Sequence, residues 1–295
     1  MQRVLLPASF TETALYSFVA SVVSTGGTPV ADAFEFDFGR LWWIDGTGLT
    51  VFCNVLEWLR ARNAAVRFVN YGQDTPALSY LDDSGFFQEY IGKPLRPNAK
   101  VRRSTLPFKP ILPTESFSWL EHVATPWLAS VLHVDQRALT SIKTSAKEIF
   151  NNISDHSGET IGFVHIQHHP MKREVHLTIS DFGRGIPATI RSTFGPKSDA
   201  DALRMAVEDG ITARSRPNNR GAGLRILLDY VCDNKGSVVI HSLTARLRAR
   251  AAVGTAPAID VRTGAGTYPG TLVNIILPTT DFVGDPVEEA EAFEW

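Results

Sequence analysis

The stretch KEIFNNISDHSG, residues 147–158, sets Glu148, Asn152 and His156 four residues apart. At the helical period those three side chains share one row, while Ile149, Phe150 and Ile153 turn toward a core. A carboxylate, a carboxamide and an imidazole in one row suit a metal-bound phosphate. The carboxamide oxygen of Asn152 is a hard ligand for Mg2+, and the carboxylate of Glu148 can take a proton from an attacking hydroxyl or water. An amphipathic helix with a solvated polar face gives the same pattern, so this stretch alone leaves both readings open.

Two later stretches bear on the choice. In ISDFGRGIP, residues 179–187, Asp181 leaves the alternating run EVHLTIS, which reads as a half-buried strand, and enters a turn with Gly183 and Gly185. That places an acceptor beside backbone free to approach a flat ligand. In NNRGAGLRILLDYV, residues 218–231, Gly221 and Gly223 precede a helical pattern that starts at Leu224. Glycines ahead of a helix expose N–H groups at its positive end, where a phosphate binds. A purely structural turn would account for either glycine pair taken singly.

In this order and spacing the three stretches resemble the GHKL superfamily of ATPases, to which histidine kinases, gyrase, MutL and the anti-sigma serine kinases belong. EIFNNISDHS is similar to the family's Asn box, DFGRGIP to its first glycine box and NRGAGL to its second, and GTLVNIILP, residues 270–278, to its closing strand. The resemblance implies a two-layer α/β sandwich, the Bergerat-type ATP-binding fold, over residues 114–280. It implies ATP and Mg2+ as cofactors, with Glu148 as general base and Asn152 as the Mg2+ ligand. Asp181 would accept from the adenine amino group beside Gly183 and Gly185, Thr271 would support the adenine, and Arg220, Gly221 and Gly223 would carry the phosphates. Residues 188–220 would form the lid over the nucleotide, with Lys197, Arg214, Arg216 and Arg220 reaching the phosphates on closure. With so little apolar surface to bury before the phosphates arrive, that lid is expected to be the least ordered part of the region when no nucleotide is bound.

Upstream, strands at residues 2–6, in AFEFDFG, in LWWIDGTGL and in VRFVN alternate with helices over residues 11–24, from 49 to about 62 and in TPALSYLDDSG. That alternation predicts a small α/β sheet over residues 1–92. WIDGTGLTVFCNVLEWLRARNAAVRFVN and DDSGFFQEYIG resemble a STAS domain, the fold of anti-sigma factor antagonists. The resemblance makes Thr47 the phosphoacceptor, although Gly46 stands where that family has its first serine. Thr47 is expected to expose its hydroxyl at the start of a helix, and Asp45 or Thr47 capping that helix is the alternative. Residues 93–113, KPLRPNAKVRRSTLPFKPILP, read as a Pro-rich basic linker, and residues 281–295 as an acidic tail.

Composition narrows the class. With 29 basic and 31 acidic residues in 295 and a formal net charge of −2, the chain lacks the clustered charge of a general nucleic-acid binder. The two cysteines, Cys53 and Cys232, sit in apolar helical patterns and read as buried thiols of a reducing compartment. The N-terminal apolar run is too short for a signal peptide and no stretch reaches a membrane span, so a cytoplasmic protein is expected. In the hairpin FVHIQHHPMKREVHLTI, a turn over residues 169–172 would set Val164 opposite Leu177, Ile166 opposite Val175 and His165 opposite His176. A metal pair there would lack a third ligand. The run at 238–251 alternates Leu243, Ala245, Leu247 and Ala249 with Thr244, Arg246, Arg248 and Arg250, an arginine face open to solvent or to an acidic partner.

Two functions follow. The first is a serine/threonine kinase of the anti-sigma type, acting on its own Thr47 or on a partner such as a STAS-domain protein or sigma-factor-like regulator, as a monomer or a homodimer. The second is an ATP-gated interaction switch with little or no kinase activity. A sensor histidine kinase phosphorylating His122 fits less well, because only roughly 25 residues separate it from Glu148. A MutL-like clamp would need a further transducer domain.

Overall fold

The computed structural model describes residues 1–107, 109–111, 113–156, 162–208, 223–252 and 256–286, with the side chains of 109, 111, 113, 114 and 151–156 outside that set. In its N-terminal half run β1 (Gln2–Leu5), β2 (Ser9–Phe10), α1 (Leu15–Ala20), β3 (Ala33–Asp37), β4 (Trp43–Ile44), α2 (Gly46–Ala61), β5 (Ala65–Val69), α3 (Pro76–Asp83) and α4 (Phe86–Ile91). β1, β3 and β5 form a parallel sheet in that order, and β2 pairs with β4 in parallel. The alternation of AFEFDFG puts Phe34 and Phe36 on the core side, where Phe36 meets Phe18 of α1 and Phe52 of α2. On the opposite side Glu35 and Asp37 are also buried, under the guanidinium groups of Arg3 and Arg67. The helix read over 11–24 is shorter, a 3-10 turn at Glu12–Ala14 followed by α1.

The second half holds β6 (Lys109–Ile111), α5 (Pro113–Trp119), a π-helical turn at Leu120–Ala124, α6 (Thr125–Leu132), a 3-10 turn at Gln136–Leu139, α7 (Thr140–His156), β7 (Gly162–His169), β8 (Glu174–Asp181), α8 (Ile186–Phe194), α9 (Asp199–Met205), α10 (Gly223–Asp233), β9 (Ser237–Arg250) and β10 (Ala258–Pro278). Its five strands make one antiparallel sheet ordered β6-β7-β8-β10-β9. The molecule is therefore mixed α/β, with parallel pairing in the first half and a separate antiparallel sheet in the second. Among the described residues no helix is long and apolar enough to cross a membrane.

Three readings of the sequence are corrected. The stretch read as a solvated linker is anchored at several points: Arg96 binds Asp82 and Asp83, Arg102 binds Asp83 at 3.0 Å, and the Leu106 N–H donates to Ile166 O. Its end is the edge strand β6, where Pro110 is tolerated because one side of an edge needs no donor. The β7–β8 hairpin is shifted. Pro170 opens its turn and Arg173, at φ 55°, closes it, so His169 stays in the strand opposite Glu174. Val164 then faces Ile179, Ile166 faces Leu177 and His165 faces Thr178; the shift is even, so the core face is unchanged. Finally, residues 188–208 of the expected lid are well packed: Ile190, Ala202 and Leu203 are buried, and Asp199 holds both Arg191 and Thr244. The rest of that segment lies outside the described residues, as does the tail beyond residue 286.

One face of the antiparallel sheet carries Val164, Ile166, Leu177, Ile179, Val273 and Ile275 beneath α5–α7 and α10. The other face carries Phe163, Phe182 and Leu272, which join the core of the N-terminal half. Between the two sheets runs α2, lying across β7 and β8. That position explains its sequence: residues 48–56 are buried without interruption, because both sides of the helix meet a sheet.

The edge of this interface is polar. Tyr16 lies over Gly264 and Gly266 and its hydroxyl meets His241 Nδ1 at 2.8 Å. Glu12 lies 3.3 Å from His241 Nε2 and 3.1 Å from Arg248, so the arginine face of β9 is partly engaged within the chain. His241, and then Arg248, hold the Glu12 carboxyl down at about 2 against the cost of its burial. A depressed carboxyl stabilises the fold above its unfolded pKa, and the contribution disappears as pH falls from about 4.5 toward 2. Thermal melts of Glu12→Gln should therefore show a lower Tm than wild type at pH 7 and converge with it near pH 2. Parallel melting curves across that window would refute the coupling.

Candidate functional site

Asp181 is the last residue of β8 and pairs with Thr271 of β10. Its carboxyl is buried and one oxygen accepts from the Gly183 N–H at 2.7 Å. Burial pushes its pKa up to about 7, opposed by hydrogen bonds from the Gly183 and Thr271 backbone. Two glycines allow this closeness. Gly270 has φ 93°, and a Cβ there would lie 2.5 Å from Gly183 N and 2.8 Å from Asp181 Oδ1. Gly185, at φ 77°, precedes α8, and a Cβ there would lie 2.9 Å from Ser242 Oγ.

Ser242 ties this wall together. Its hydroxyl accepts from the Ile186 N–H at 2.9 Å, donates to Gly270 O at 2.8 Å and lies 3.1 Å from Thr271 Oγ1. Ser242 belongs to none of the sequence motifs above. Its signal was there: Ser242 continues the core-facing phase of Val238 and Ile240, a polar residue at an apolar position. The phase changes at Leu243, whose φ of 51° marks the irregularity, and Ala245, Leu247 and Ala249 carry the core face onward.

Glu148 and Gly223 meet at the second part of the site. Gly223 is the first residue of α10, and any Cβ on it would overlap the Glu148 carboxyl. α7 is helical through His156, so the backbone sets 148, 152 and 156 in one row. The side chains of Asn152 and His156, with Arg214, Arg216, Arg220 and Gly221, lie outside the described residues. Ile149, Ile186 and Leu224, which follow Glu148, Gly185 and Gly223 in the chain, pack against the same core. The Asp181 wall and the Glu148–Gly223 contact thus belong to one side of the antiparallel sheet.

Thr47 is elsewhere. α2 begins at Gly46, three residues earlier than read, because the Asp45 carboxylate accepts from the Gly48 N–H at 2.9 Å and caps the helix. The Thr47 hydroxyl is half-buried, not exposed, and donates to Asn274 Oδ1 at 3.3 Å. Asn274 alternates with Val273 and Ile275, so it points to the face opposite Glu148. Gly46 has a local reason: a Cβ there would come 2.5 Å from Nδ1 of the buried His165. Burial drives the His165 pKa down to about 3, and its Nε2 meets the Tyr80 hydroxyl at 2.9 Å. His176 instead contacts His169 and Glu174, and among the described residues no three His, Cys, Asp or Glu side chains cluster so as to hold a metal ion. His122 is exposed on the π-helical turn, and Lys197 donates to Phe194 O at 3.2 Å.

Comparison with models of protein families and with curated proteins gives no match. The site has to be read from its own chemistry. A buried carboxyl whose acceptor capacity exceeds its local donors, walled by glycine backbone and a threonine, suits a flat ligand with an exocyclic amino group. A carboxylate against the first residue of a helix lies where phosphate oxygens gather at such a helix end.

Proposed function

We propose that the chain is an Mg-ATP-binding regulatory protein of the GHKL type, with a STAS-like N-terminal half laid over the back of its ATP-binding sandwich. The observation that carries the reading is convergence. Residues from four stretches far apart in sequence, Glu148, Asp181 with Gly183 and Gly185, Gly223, and Thr271, meet on one side of one sheet. Asp181 would hold the adenine amino group, Gly223 would admit the phosphates to the start of α10, and Glu148 would orient or deprotonate the attacking oxygen. Mg2+, when bound, would offset phosphate charge with Asn152 as its ligand.

Of the two activities, ATP-gated switching has the stronger support. Thr47 and Glu148 lie on opposite faces of the antiparallel sheet, so transfer within one chain would require α2 to leave its seat. Kinase action on the STAS-like domain of a partner or of a second copy keeps Glu148 in its role and is the second reading. Calorimetric titration with Mg-ATP tests the nucleotide site, and absence of binding sinks it. Mass spectrometry after incubation with Mg-ATP separates the activities: the switch expects an unmodified Thr47. Phosphate on Thr47 of the wild type, absent from Glu148→Ala, would establish the kinase instead.

A further inference from the structure

Asp181 and Thr271 form one face of a wall that is a single strand thick, and α2 grips its other face. The chain neighbours of Asp181 point the opposite way: Ser180 of β8 and Phe182 just beyond it both enter the region packed against the N-terminal half. The Asn54 amide of α2 donates to Ser180 Oγ at 3.0 Å, and Ser180 in turn is hydrogen-bonded to the Tyr268 hydroxyl. All three groups are buried. Trp58, one turn further along α2, meets Phe182 edge-on at 5.9 Å, and Phe182 meets Tyr268 at 5.4 Å. Tyr268 lies at the irregularity in β10 that precedes Gly270 and Thr271, so α2 touches residues beside both halves of the Asp181 wall. At its start α2 holds the same strand again through Thr47 and Asn274.

We propose that α2 is the control element of the nucleotide site, Asn54 and Trp58 being positioning residues that set Asp181 and Thr271 through Ser180, Phe182 and Tyr268. The inference rests on the nucleotide reading above. A buried polar chain tolerates few arrangements, because each member loses its partner if the helix slides. Any event that moves α2, such as docking of a partner on the N-terminal half or a charge added at Thr47, therefore alters nucleotide affinity. By linkage the nucleotide alters the seating of α2 by the same factor.

The test uses the full chain and Mg-ATP. Trp58→Ala is expected to weaken Mg-ATP binding about tenfold and to shift the pH midpoint of that affinity, with Trp58→Phe recovering most of the loss. Asn54→Ala, which leaves Ser180 and Tyr268 paired with each other, should weaken binding in the same direction and serves if Trp58→Ala does not fold. Trp42→Ala, on an exposed ring away from the interface, should bind as wild type does. Saturating Mg-ATP should slow amide exchange across Gly46–Ala61, although none of these residues belongs to the nucleotide site. Wild-type affinity and pH midpoint in both α2 variants, with α2 exchange unchanged by nucleotide, would overturn the proposal while leaving the ATP site standing. A wild-type chain that binds no Mg-ATP overturns both.

Discussion

Asp181→Asn is expected to stabilise the protein at pH 8 relative to pH 4 while weakening nucleotide binding. The folded pKa of Asp181, about 7, is raised, so the folded state holds this proton more tightly than the unfolded chain does. The sign follows from linkage: wild-type stability falls as pH rises from the unfolded value near 4 to the folded value near 7, then levels. Asparagine has no proton to lose. The stability of the variant minus that of the wild type should grow by about 4 kcal/mol between pH 4 and pH 8, as an order of magnitude. Denaturant titrations at several pH values measure it, and a flat difference would show that Asp181 is not a strained buried acid. The same substitution should cost ~100-fold in Mg-ATP affinity, because it presents an amide N–H2 where the adenine amino group needs an acceptor. Stabilisation with weakened binding is the pattern of a residue kept for function.

Gly270→Ala should be the most damaging single-methyl change among the glycines of the site. Alanine is strained at φ 93°, and its Cβ would meet Asp181 O and Gly183 N, both backbone atoms of a paired strand end that has nowhere to move. We expect a loss of about 3 kcal/mol or more, with opening of the β8–β10 pairing. Gly223→Ala is the instructive contrast. Its Cβ would overlap the Glu148 carboxyl, the far end of a flexible side chain that can swing aside. Stability should then change little while ATP turnover, or nucleotide-dependent switching, is lost. Chemical denaturation of the two variants side by side checks the contrast, and equal stability losses would refute it.

The local signals in the sequence were reliable where a short-range rule governs them. The period-2 run EVHLTIS and the period-3.6 run after Gly223 became β8 and α10, and the Asp45 cap, weighed beside Thr47, is realised. Glycine positions were legible for the same reason: Gly185 has the left-handed φ that only glycine adopts freely, and a side chain at Gly223 would displace the Glu148 carboxyl. The hairpin register was missed because two turns of equal length, 169–172 and 170–173, fit the same alternation. Only the fixed φ of Pro170 and the left-handed Arg173 decide between them.

The sequence by itself determined the alternation of strands and helices, the buried thiols, and the acids and glycines on which the proposed nucleotide site rests. Tertiary structure alone decided what those elements face. The face of β8 turned toward α2 carries Thr178 and Ser180, polar residues that alternate with Leu177 and Ile179 as a solvated face would, so nothing local announced that this face is buried. That covering turns Thr47 toward Asn274 and places Ser180 and Phe182 under Asn54 and Trp58, and the Leu106 N–H separately reaches Ile166 O. Each is a contact between residues more than 50 positions apart or a docking of chain against a distant strand. Periodicity records which side of an element is apolar, and has no means of recording which distant surface will meet it.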